Sequence, residues 1–134
     1  MKVLNDMKFI RNTALQGLIA GTLLAAFSMS AHAGEVDVVD VTIESLGDGK
    51  FRINATLAHD DTGWDHYADR WDVLDESGQV IGVRELAHPH VNEQPFTRSV
   101  SISIPASVKT ITVRANDSAH ETGGKTFDIA VPHS

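Results

Sequence analysis

Apolar and polar residues alternate along most of this chain. Phe51, Ile53, Ala55 and Leu57 are separated by Arg52, Asn54 and Thr56. Val100, Ile102 and Ile104 alternate with Ser99, Ser101 and Ser103. Ile111, Val113 and Ala115 alternate with Thr110, Thr112 and Arg114, and Phe127, Ile129 and Val131 with Thr126, Asp128 and Ala130. A period of two belongs to a strand with one buried and one wet face. No segment carries a helical stripe of useful length.

Three further strands complete the set. Val39, Val41 and Ile43 share a parity that Val36 and Val38 do not, so a bulge is expected near Val38-Val39. Trp71 and Val73 mark another strand, and Ile81 and Val83 a third. Gly47-Asp48-Gly49 and Asp75-Glu76-Ser77-Gly78 supply turn chemistry between them, and Pro105-Ala106-Ser107 links two later strands. The predicted strands run over about 36–45, 51–59, 69–75, 80–87, 97–104, 109–115 and 125–131. Seven short antiparallel strands predict an all-β sandwich like immunoglobulin or fibronectin type III domains, with Trp71 on the third strand. A small closed barrel is the alternative closure.

The first quarter differs in kind. Lys2, Lys8 and Arg11 precede an apolar run from Ala14 to Phe27, followed by Ala31-His32-Ala33. Basic, apolar and small-residue segments in that order predict a signal peptide over 1–33, cleaved after Ala33, and a β-sandwich domain over 34–134. Met7 opens a more ordinary leader than Met1 does. The apolar run is interrupted by Gln16 and falls short of the ~20 residues that span a bilayer. No cysteine is available for a lipid anchor, so no membrane anchor is expected after cleavage. The bacterial look of the leader points to the periplasm or the exterior.

The chain holds no cysteine at all, which excludes disulfides and thiolate metal sites. Its formal charge is −7, and loss of the leader, with three cations and Asp6, takes that to −9. That balance argues against nucleic acid or an anionic membrane as partner. It suits a cation, a basic exported protein, or solubility alone.

Following the strands up and down places three connections at one pole: His59 to Ala68, His88 to Phe96, and Asn116 to Gly124. Together they carry His59, His66, His88, His90 and His120 with Asp60, Asp61, Asp65, Glu93, Asp117 and Glu121. His133 alone, among histidines after the leader, falls outside. Long loops at one end of a sandwich are where such folds carry function.

Three readings of that pole follow. In the first, imidazoles and carboxylates bind a divalent metal, zinc or copper(II). His88-Pro89-His90 is the sharpest piece, because a residue before proline is extended and side chains two apart then point the same way. His59, His66 and His120 are the further candidate ligands. The bland counterpart is a metal-free network: His59 continues the inward parity of Leu57, and Asp60 and Asp61 serve as backbone acceptors. In the second reading the pole recognises a ligand or exported protein through Trp64, Asp65, Tyr67, Glu93, Phe96, Arg98 and Asp117. The third is a small metalloenzyme. It has the least support, since the chain holds no Gly-x-Ser-x-Gly, His-Glu-x-x-His or phosphate loop. A non-catalytic module is expected.

The stretches His59-Asp60-Asp61-Thr62-Gly63-Trp64-Asp65-His66-Tyr67-Ala68-Asp69-Arg70-Trp71, His88 to Arg98, and Arg114-Ala115-Asn116-Asp117-Ser118-Ala119-His120 resemble an uncharacterised family of small exported bacterial β-sandwich proteins. The resemblance implies export and a compact domain. It implies no catalytic residue.

Overall fold

The computed structural model describes residues 34–133, and the predicted leader lies outside them. The alternating segments form β1 (Asp37–Gly47), β2 (Lys50–Ala58), β3 (Ala68–Leu74), β4 (Val80–Glu85), β5 (Phe96–Ser103), β6 (Thr110–Asp117) and β7 (Phe127–Ala130). No helix occurs among the described residues. The strands divide into a three-stranded sheet, β1-β2-β5, and a four-stranded sheet, β4-β3-β6-β7, with every pairing antiparallel. This is the expected β-sandwich. Its fourth strand pairs with β3, whereas in immunoglobulin constant domains the fourth strand joins the opposite sheet.

The register explains the mixed parity of the first strand. Pairing of β1 with β2 shifts between Val38 and Asp40, which leaves Val39 exposed while Val36, Val38 and Val41 stay buried. One extra residue in a strand does this by turning the following side chains to the other face.

Inward-facing residues of both sheets meet in one core. Trp71, Phe96, Ile53, Leu57 and Ile111 are its largest fully buried side chains. Burying such a side chain contributes roughly 1.5–3 kcal/mol, so this layer is the main source of stability in a domain with no disulfide. Ser99, Ser101 and Ser103 face solvent, as their parity requires.

Two central strands then do something more. On β2, Phe51, Ile53, Ala55 and Leu57 point inward, and the next residue of that parity, His59, is buried too. On β6, Ile111, Val113 and Ala115 point inward, and the next of that parity is Asp117, 1% exposed. The period that builds the core therefore carries an imidazole and a carboxylate into the inter-sheet space at one end. β6 runs two residues past its predicted limit because Asn116 and Asp117 continue the pairing with β3, opposite Arg70 and Ala68, and beyond them Asp117 and Glu121 exchange backbone hydrogen bonds of 2.8 and 2.9 Å.

Candidate metal centre

His59 and Asp117 face each other there, with His59 Nε2 2.5 Å from Asp117 Oδ2. The connection from β2 to β3 folds His66 over the same spot. It is held by hydrogen bonds from Thr62 N–H to His66 O at 3.0 Å and from His66 N–H to Gly63 O at 3.2 Å. His66 Nε2 lies 2.8 Å from Asp117 Oδ2. The fourth atom comes from the segment before β1. The Gly34 carbonyl oxygen is 3.1 Å from His59 Nε2 and 3.0 Å from His66 Nε2. Two nitrogens and two oxygens thus alternate around one small space. His120 flanks it, with Nδ1 3.5 Å from Asp117 Oδ2 and its ring edge-on to His66 at 4.9 Å.

Each carboxylate has divided duties. Asp117 Oδ1 accepts the backbone N–H groups of Ala119 at 2.6 Å and His120 at 3.1 Å, which leaves Oδ2 for the imidazoles. Asp61 Oδ1 accepts His59 Nδ1–H and the Ala68 N–H, the latter at 3.1 Å. Asp61 Oδ2 accepts the His90 N–H at 2.7 Å. Asp61 therefore ties three chain segments together and fixes the tautomer of His59.

That tautomer decides the chemistry. With its Nδ1 proton on Asp61, neutral His59 presents a lone pair at Nε2 to two oxygen atoms. The contact is repulsive unless a proton or a cation sits between them. His66 can meet the same oxygens as a simple Nε2–H donor; His59 cannot. Burial disfavours the His59 imidazolium. The Asp61 hydrogen bond, the Gly34 carbonyl and the charge of Asp117 outweigh it and raise the pKa above the ordinary value. Burial likewise works against the Asp117 carboxylate. The N–H groups of Ala119 and His120, the charge at His59 and the His66 hydrogen bond hold its pKa below the usual range. The side chains of Asp61 and Asp117 have no exposed surface, so their charges must be balanced internally.

A divalent ion held there would supply that balance. His59, His66 and Asp117 each offer an atom, all within 4.8 Å of one another. Four-coordinate zinc with bonds of about 2.0–2.1 Å needs its ligand atoms roughly 3.3 Å apart. The four atoms here lie 2.5–3.1 Å from their neighbours, so side-chain shifts of tenths of an ångström make room. His120 stands at the solvent side with nearly half its side chain exposed.

The structure brings His59, His66, His120 and Asp117 together, and it holds His88 and His90 on the far side of Asp61. His88 is exposed, and its Nδ1 lies 3.1 Å from the Pro89 carbonyl. His90 is buried, and its ring stacks on Phe96 at 3.9 Å with 8° between the planes. Burial, then the charges of Arg98 and His88, lower the His90 pKa, so this ring acts as a neutral packing element. Its Nδ1 is 3.9 Å from Asp61 Oδ2, too far to hydrogen-bond.

Of the residues expected to form a recognition surface, Phe96 and Asp117 are buried. Glu93 and Arg98 pair with each other at 3.0 Å. Asp65 is exposed, and Trp64, at 67% exposure, lies edge-on to Tyr67. Trp64 stands out into solvent and does not pack beneath the loops. Sequence reasoning missed Gly34 as a contributor, for a glycine carbonyl leaves no mark in a sequence. Asp61 carried a weak signal as the second residue after His59.

Fold and site together define a β-sandwich with a histidine–carboxylate cluster at one end. No family model matches the chain. It is similar to a "Putative lipoprotein" of Halomicrobium mukohataei, sharing 44% identity over 95 residues, which is 71% of this chain and 47% of the relative. The chain thus spans about half the length of the curated relative it matches.

Proposed function

We propose that this chain is an exported, non-catalytic module that binds a divalent metal, zinc or copper(II), through His59, His66 and Asp117. In this reading residues 1–33 are a leader removed after Ala33, and residues 34–134 act in the periplasm or outside the cell. The similarity to a lipoprotein supports export. The observation that carries the metal reading is His59. Its Nδ1 proton is committed to Asp61, and its Nε2 faces the oxygens of Asp117 and Gly34. A carboxylate behind a ligating imidazole is the usual arrangement around bound metal.

Native mass spectrometry of the exported chain with zinc, with copper(II) and with chelator tests the proposal. One ion per chain is expected. His66→Ala should lose it and His88→Ala should keep it. No bound ion at micromolar metal would overturn the reading. The exposed Trp64–Tyr67 pair favours a second one, a metal-free recognition module, in which chelator leaves thermal stability unchanged.

A further inference from the structure

We infer that removal of the leader completes this centre: the α-amino group freed on Gly34 becomes a further metal ligand beside the Gly34 carbonyl oxygen. The inference rests on the metal reading above. Hydrolysis of the Ala33–Gly34 amide by a leader peptidase consumes one water, leaves a carboxylate on Ala33 and frees the amine of Gly34.

The position of Gly34 is built by the fold. The Val38 N–H donates to Lys125 O at 2.9 Å, and the Lys125 N–H donates to Asp37 Oδ1 at 2.8 Å. Behind them, a side chain at Gly124 would overlap the Val36 carbonyl. The segment leading into β1 is therefore clamped to the connection between β6 and β7, which also carries His120. Gly34 itself adopts φ +105°, and a Cβ there would stand 3.2 Å from His120 Cε1. Only glycine brings the backbone this close without strain. Its carbonyl already points at the imidazoles of His59 and His66.

The chemistry of the nitrogen changes on cleavage. In a peptide bond its lone pair is delocalised into the carbonyl and cannot bind zinc. A free α-amine keeps its lone pair on nitrogen and binds a metal once its proton is displaced. Amine nitrogen and carbonyl oxygen of one residue close a five-membered ring on a single ion. The precursor would thus hold an incomplete site, and the metal would be captured after export.

The test compares two exported chains, each checked by intact mass. One begins at Gly34. The other carries one glycine inserted between Ala33 and Gly34, so that the nitrogen of residue 34 is an amide. Zinc is the probe, read by competition with a chromogenic chelator from pH 6.5 to 8.5 with proton release followed. Loss of even an outer-shell partner costs 10–100-fold, so the inserted chain should bind at least about ten-fold more weakly. At the lower pH it should also release fewer protons. Melting in chelator should be the same for both, showing that the insertion leaves the fold intact. Equal affinity and equal proton release would overturn the inference while leaving the metal centre in place. Zinc binding by neither chain would overturn both. A mature N-terminus elsewhere than Gly34 would overturn this inference alone.

Discussion

Asp61→Asn tests the logic of the site most directly. The Asp61 side chain has no exposed surface and accepts three hydrogen bonds, from His59 Nδ1, Ala68 N and His90 N. Asparagine can keep its oxygen at the Oδ1 position, where two of those donors converge. Its amide nitrogen then meets the His90 N–H, donor against donor, where the carboxylate makes a 2.7 Å bond. One buried unsatisfied N–H costs about 1–3 kcal/mol, and loss of the charge beside His59 adds to it, for a total of roughly 2–4 kcal/mol. Asp61→Ala strands all three donors and should cost about 3–5 kcal/mol, a large share of the ~5–15 kcal/mol that holds a small domain folded. Urea unfolding at pH 7 with chelator reads these values. Asp60→Asn, at the exposed neighbouring position, is the control and should stay within about 0.5 kcal/mol. Zinc affinity of Asp61→Asn should fall about 10–100-fold, since the imidazole loses its orienting partner. Stability within about 0.5 kcal/mol of the parent would refute the burial argument. Unchanged zinc affinity in a destabilised variant would leave Asp61 structural and remove its role behind His59.

Two more expectations rest on the same geometry. Trp71 is fully buried, so Trp71→Ala should cost about 3–5 kcal/mol in denaturant unfolding, and a near-neutral result would refute its place in the core. The raised pKa of His59 makes its imidazolium stabilising below the ordinary value of 6.5, and that contribution is lost as pH rises through the folded value. His90, lowered, acts in the opposite sense but only below 6.5, so the window above pH 6.5 isolates His59. Chelated protein should therefore lose stability across about pH 6.5–8.5, the span upward from the ordinary histidine pKa. The stabilisation added by zinc should grow over the same span, because metal and proton compete for Nε2. Parallel pH profiles with and without zinc would refute this.

Much of the fold was readable from the chain because a strand's burial has a period of two, and that period is written in its side chains. It located seven strands, the bulge at Val39 and the buried Trp71. Continuing it one step past Leu57 picks out His59, and one step past Ala115 picks out Asp117. The gathering of loops at one pole also followed, since antiparallel strands joined in sequence must turn at alternate ends. What tertiary structure alone decided was which of those histidines meet. His88 and His90 are neighbours with the sharper spacing, yet a hydrogen bond from the His90 backbone to Asp61 and a stack on Phe96 turn them away from the cluster. The oxygen opposite His59 comes from Gly34, a residue with no side chain to advertise it. Periodicity encodes which face a residue takes. Distances between loops depend on backbone hydrogen bonds and close approaches, which involve atoms that every residue shares.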